Sequence, residues 1–418
     1  MKKILYAITI TVLLSLLLIS CSGGEKKQLN DDAFALYSGG DFAGAIEAFS
    51  GAIVKYPDYS DFYANRGMAY FEHGEYEKAS EDMDKAIELD DKNPEAYANR
   101  GYINLALGYT NSAITDLSRA LELKKDFDSD NGLYMTYLNL GTAFNLSGDS
   151  VKALKYYDLA IELNTEDPAV FNAKGMIYKN AGDYEQALTY FNLALDLDSF
   201  YGYAYGNRAS IYYLMGDYDI ALADVTTAIN IDPNIPQLYI IRGQVFEARG
   251  DFSEAVSAYS RGIELWEAYA EAYVYRASAY AALEDYTSAI MDYNIAASLG
   301  YNEAYMNLGL LFKQLGQYAD ALSSYEQYKE LVGDTVGLEM EMGIAYMELD
   351  RYNEAIESFD MVIASTDDFF DPYLYKALVL EYMQSYDEAI VTLEIILSFD
   401  PTNQMALDEI AYIQDLME

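Results

Sequence analysis

Large apolar residues in this chain recur at helical spacing, and small residues punctuate them on a fixed period. A small residue after a Gly-Asp-Tyr type turn stands at Ala45, Ala79, Ala113, Ala153, Ala187, Ala221, Ala255, Ala289, Ala321, Ala355 and Ala389; eight of the ten spacings are 34, the others 40 and 32. Twelve residues before each Ala lies a second small residue, from Ala33, Gly67 and Gly101 through to Gly343 and Ala377. Between the two, a Gly marks the turn in eight copies: Gly40, Gly74, Gly108, Gly148, Gly182, Gly216, Gly250 and Gly316. This pattern predicts pairs of antiparallel helices. A Gly after the first helix takes the left-handed cap conformation, and Pro94, Pro168 and Pro236 open three repeats where a missing N–H costs nothing. Small residues on facing helices allow close approach, while large residues at 3.6-residue spacing fill the seam.

The run Tyr205-Gly206-Asn207-Arg208-Ala209-Ser210-Ile211-Tyr212, then Gly216-Asp217-Tyr218-Asp219-Ile220-Ala221 and Ala228-Ile229-Asn230-Ile231-Asp232-Pro233, resembles the tetratricopeptide repeat family. The resemblance implies an all-α fold, an α-α superhelix of about eleven helical hairpins. Their expected bounds are 26–59, 60–93, 94–133, 134–167, 168–201, 202–235, 236–269, 270–301, 302–335, 336–369 and 370–403, with a C-terminal capping helix over 404–418. Glu284, Asp350 and Gln384 replace the turn Gly, and Glu339 replaces a usual aromatic, so looser packing is expected at those points. The aromatic slots of the repeat account for 24 of the 43 Tyr, which makes most of them packing residues.

Composition narrows the function. Against 26 Lys and Arg stand 68 Asp and Glu, a net charge of −42 over 418 residues, which repels a phosphate backbone and excludes nucleic acid as a partner. With 52% hydrophobic and 15% aromatic residues the chain is no solvated coil. One Cys and one His leave no parts for a disulfide framework, a Cys/His zinc site or a Ser-His-Asp triad. His73, just before the turn Gly74, is expected to be exposed. Without a phosphate loop or dinucleotide fingerprint, the chain is expected to need no cofactor and to catalyse nothing.

The N-terminus reads as an address. Met1-Lys2-Lys3 is basic, Ile4 to Ile19 nearly all apolar, and Leu18-Ile19-Ser20-Cys21 ends the run before a polar stretch. That ending resembles a bacterial lipoprotein signal. The resemblance implies removal of 1–20, lipidation of Cys21, a short tether over 21–25 and an extracytoplasmic body anchored in the cell envelope. Ser22 gives no inner-membrane retention signal, which favours the outer membrane.

In the family the first helices line a concave binding surface. Asn recurs there at Asn65, Asn99, Asn139, Asn207 and Asn307, either as a ladder for an extended peptide backbone or as solvated surface residues. A basic residue follows at Arg66, Arg100, Lys174, Arg208, Arg242, Arg276 and Lys376. Asp82, Asp116, Asp224 and Asp292 lie sixteen residues after four of the five Arg, which predicts ion pairs within repeats, Arg242 opposite Ala258 being the exception. Later repeats place Met306, Leu310, Met340, Ile344, Met347, Leu374 and Leu378 inward, either as a Met-rich partner-binding stripe or as packing between helices. The family's carboxylate clamp for a chaperone tail finds no matching copy. The insertion after repeat three holds Asp126, Asp128 and Asp130, an alternation that could face a calcium ion, but calcium-loop spacing fails and a solvated acidic loop fits better.

The sequence thus predicts a non-catalytic, membrane-anchored scaffold that holds a neutral to basic protein or peptide segment. The resemblance suggests envelope assembly, secretion or pilus-type machinery. The alternative is a lipoprotein that captures carbohydrate or peptide ligands or assists an enzyme through its Tyr-rich surface.

Overall fold

The computed structural model describes residues 24–127, 129–365 and 370–418. Among them are twenty-three α-helices, one short 3-10 helix at Lys124–Asp126, and no strand. The chain divides into two units, one ending at Ile231 and the other starting at Asp232, although the 34-residue register passes unchanged from Ala221 to Ala255.

In the first unit the hairpins pair α1 (Gly24–Ser38) with α2 (Phe42–Lys55), α3 (Ser60–Glu72) with α4 (Tyr76–Leu89), and α5 (Pro94–Ala106) with α6 (Thr110–Glu122). They continue with α7 (Asp130–Leu146) and α8 (Ser150–Leu163), α9 (Pro168–Asn180) and α10 (Tyr184–Leu197), and α11 (Gly202–Met215) and α12 (Tyr218–Ile231). The second unit pairs α13 (Pro236–Ala248) with α14 (Phe252–Leu265), α15 (Ala270–Ala282) with α16 (Tyr286–Ser298), and α17 (Glu303–Gln314) with α18 (Tyr318–Val332). Then come α19 (Val336–Glu348) with α20 (Tyr352–Ser365), α21 (Asp371–Tyr382) with α22 (Tyr386–Phe399), and the final α23 (Gln404–Met417). Ala406 and Ile413 of α23 close the apolar cluster of Leu393 and Ile396, as a capping helix should.

The turn motif has a local cause, shown by Gly148-Asp149. Gly148 sits at φ 86° and its N–H donates to the Asn145 carbonyl at 3.1 Å, while the Asp149 N–H donates to the Phe144 carbonyl at 2.9 Å. These two bonds satisfy two of the carbonyls left free at the end of α7. The Asp149 side chain then accepts from the Lys152 N–H at 3.0 Å and caps α8. One dipeptide ends the first helix and starts the second.

Where Gly is missing the geometry persists. Glu284, Asp350 and Gln384 adopt φ of 61°, 58° and 61°, a conformation that costs an L-residue roughly 1–2 kcal/mol. Glu339 is buried in place of the usual aromatic and accepts from Lys329 Nζ at 2.7 Å, so an ion pair fills that slot.

The seam between paired helices closes because the first helix offers no side chain there. A Cβ built on Gly175 would lie 2.5 Å from the Phe191 ring, and one on Gly343 would lie 2.6 Å from the Phe359 ring; both rings are fully buried. The insertion behaves differently from the expected loop. Asp130 is the first residue of α7, which reaches 17 residues, and the Ser129 hydroxyl accepts from the Gly132 N–H at 3.4 Å. Asp130 is thereby part of a helix, and Asp128, like Cys21 and the whole signal segment, lies outside the described residues.

Replacing Glu284, Asp350 or Gln384 with Gly should each stabilise the protein by about 1 kcal/mol, less the entropy Gly loses on folding. A rise in the urea midpoint for each variant is the expected readout.

Candidate functional site

In seven hairpins a basic residue sits on the first helix, one position before the small residue. Arg66 on α3 holds Asp82 on α4 in a two-pronged contact, Nε to Oδ2 at 2.7 Å and Nη2 to Oδ1 at 2.8 Å. Arg100 with Asp116, Arg208 with Asp224 and Arg276 with Asp292 repeat it at 2.7–2.9 Å. The remaining Nη1 reaches back sixteen residues to the preceding hairpin, to Ser50, Asp84, Asn192 and Ser260 respectively. Each Arg therefore ties three helices together. Lys174 and Lys376 make the backward contact, to Asp158 and Asp360, and Lys174 also lies 4.4 Å from the centroid of the Tyr190 ring on α10.

The four Asp are buried, Asp292 completely, so these are not exposed pairs of small worth. Removing the Arg would strand a carboxylate away from water. Hydrogen bonding to Asp82 holds the Arg66 guanidinium above its usual pKa. For Arg276, burial pulls the value down, but the bond to Asp292 together with its charge and the nearby Tyr280 and Tyr273 leaves it raised. Arg242 differs. Ala258 stands where its Asp would be, its Nε is buried without a hydrogen-bond partner, and burial lowers its pKa.

The Asn positions divide. Asn65 is buried and donates to Asn30 Oδ1 at 2.7 Å, a bond between α3 and α1. Asn99 and Asn139 are buried as well, Asn139 Oδ1 without a partner. Asn207 is half-buried and donates to Asn172 at 2.9 Å, and Asn307 is half-buried. Amides at Asn65 and Asn207 thus link first helices of neighbouring hairpins. Their acceptors Asn30 and Asn172 were missed in the sequence, since they lie one position off the Asn column.

The apolar stripe is mostly packing. Met340 and Met347 are buried with Phe359, Val362 and Val379, and half-buried Ile344 and Leu378 rest on that cluster. Met306 packs against the cluster of Leu322, Tyr325 and Leu338, and Leu374 against that of Leu380 and Leu393. Leu310 is exposed. At Met340 and Met347 burial favours packing between helices, the second of the two readings of this stripe.

Polar contacts not anticipated include half-buried Lys179, whose ammonium donates to the Ser210 hydroxyl at 2.6 Å and is pulled down in pKa by burial. Glu247 accepts from the Tyr259 hydroxyl at 2.7 Å and from Ser278 at 3.1 Å. His73 ends α3, half exposed, with Nδ1 3.2 Å from Glu75. Among the described residues no group of His, Cys, Asp and Glu is arranged to hold a metal ion, and no helix is long and apolar enough to cross a membrane.

Family models described as TPR repeat or tetratricopeptide repeat match residues 67–108, 94–127, 168–201, 202–235, 242–299 and 303–331. No curated protein matches the chain. Among solved structures, a tetratricopeptide repeat protein from Parabacteroides merdae is 21% identical at a TM-score of 0.47, covering 58% of this chain and 94% of its own. The Pseudomonas aeruginosa pilF structure is 17% identical at 0.45, covering 53% and 98%. The Cut9-Hcn1 structure of the APC/C is 13% identical at 0.44, covering 94% and 96%.

Replacing Arg276 with Ala should cost about 3–5 kcal/mol, because Asp292 stays buried and unpaired. Replacing both residues with apolar side chains of similar volume should recover most of that loss in urea unfolding.

Proposed function

Because this chain carries tetratricopeptide repeats, we propose that it is a non-catalytic scaffold that binds protein or peptide segments outside the cytoplasm, held to an envelope membrane through a lipid on Cys21. Repeats of this kind generally serve as protein-binding scaffolds, and that observation carries the reading. The first helices α17, α19 and α21 supply the contact face, where Leu310 is exposed and Met306, Asn307, Ile344, Leu374 and Leu378 are half-buried. Exposed Leu310, with the partly accessible edges of its neighbours and half-buried Asn307, suits an extended or helical segment.

The net charge of −42 supports a neutral to basic partner, since such a field speeds encounter with cations and repels acidic chains. The lipobox-like ending at Cys21 supports the anchor, and Ser22 after it favours the outer membrane. Assembly, secretion or pilus-type machinery of the envelope is the proposed setting.

The test uses residues 22–418 on an array of extended peptides. Neutral to basic sequences should be retained, less strongly at high salt, and Leu310→Glu should weaken retention without unfolding the chain. Absence of any retained peptide would overturn the scaffold reading; retention indifferent to Leu310→Glu would overturn this face. In the full chain expressed in a bacterium, Cys21→Ser should move the protein from the membrane fraction to the soluble one.

A further inference from the structure

In the hairpin α13–α14 the repeating ion pair is half built. Arg242 stands at the position of Arg66, Arg100, Arg208 and Arg276, stacked on the Tyr239 ring with its guanidinium carbon 5.0 Å from the centroid. Its Nε, the atom that grips the Asp in each of the other four, is buried and has no partner. Where their Asp would project there is only the methyl of Ala258, and beside it opens a cavity of 240 Å³ lined by Arg242, Phe246, Ser253, Glu254, Ser257 and Ala258.

A comparable cavity of 320 Å³ borders Arg100, but there Asp84 and Asp116 already occupy the guanidinium. The groove is therefore common to both hairpins, and what distinguishes Arg242 is that no carboxylate holds its Nε. A buried, unpaired hydrogen-bond donor on a cation costs free energy that an incoming anion recovers. Planar two-pronged geometry selects a carboxylate, the group the same side chain holds in four sister hairpins.

We propose that the Arg242 cavity is a binding site for a carboxylate supplied by another molecule, either the terminal carboxylate of a peptide chain or the side chain of an Asp or Glu. Ala258 leaves the Arg242 guanidinium without its competing carboxylate, and that guanidinium supplies the recognition. Phe246 adds an apolar side to the lining. Glu254, exposed in the lining, repels every anion alike, so the preference for a carboxylate rests on the two-pronged geometry of the guanidinium. This inference does not depend on the peptide-binding face of α17, α19 and α21.

The Arg Nε–H resonances of the chain over residues 22–418 report directly on the site, with acetate as the probe and chloride at equal ionic strength as the control. Arg242→Lys identifies the resonance. Acetate should move it saturably and chloride should not. In Ala258→Asp the same resonance should already lie with those of the four paired arginines, and acetate affinity should fall at least about tenfold. N-acetylalanine and N-acetylaspartate amide then separate the two sources: the tighter ligand identifies a chain terminus or an acidic side chain. An acetate response that is absent, or equal in wild type and Ala258→Asp, would overturn the proposal.

Discussion

The structure rests on one contact: a ring or branched side chain of the second helix lying over a residue of the first helix that has almost no side chain. Sixteen residues separate the two, as in Gly175 with Phe191 and Gly343 with Phe359. The separation is what one helix, a tight turn and the start of the next require for facing positions. Because the rings are fully buried, the approach sets the distance between axes and so the geometry of each hairpin. Where the first helix carries Ala the partner can be smaller, as in Ala209 with the fully buried Val225.

One position earlier on both helices the same spacing carries charge instead of bulk. The guanidinium of Arg66, Arg100, Arg208 or Arg276 joins its own second helix to that of the hairpin before. An apolar contact thus defines the hairpin and a polar one fixes the step between hairpins. This division explains how so acidic a chain keeps its basic residues: several are consumed inside the fold, and the surface is left negative. Arg242 has the position and lacks the partner.

Most of the fold was legible because its determinants are local and periodic. Gly at the turns, Asp as the cap after them and the sixteen-residue Arg–Asp spacing each fix geometry within one repeat. Glu284, Asp350 and Gln384 showed that the hairpin imposes the left-handed turn even where the residue resists it. Side-chain exposure was less legible. Met340 and Met347 belong to the face of the first helices, yet the neighbouring hairpin covers them, and nothing in a single repeat reveals how far that cover extends. Asn65 likewise bonds to Asn30, whose offset of 35 breaks the 34-residue column. The lengthening of α7 to start at Asp130 was hidden because Ser129 caps a helix that the repeat period places four residues later.

A double-mutant cycle on Gly343 and Phe359 tests the central contact most directly. Gly343→Ala alone should destabilise by roughly 1–3 kcal/mol through overpacking. Phe359→Val alone should also destabilise, through the space it leaves. The account predicts that the double variant, which reproduces the Ala209–Val225 arrangement, is more stable than the sum of the two losses by about 0.5–3 kcal/mol. Strict additivity would show that the two residues do not set each other's packing, and would contradict the account.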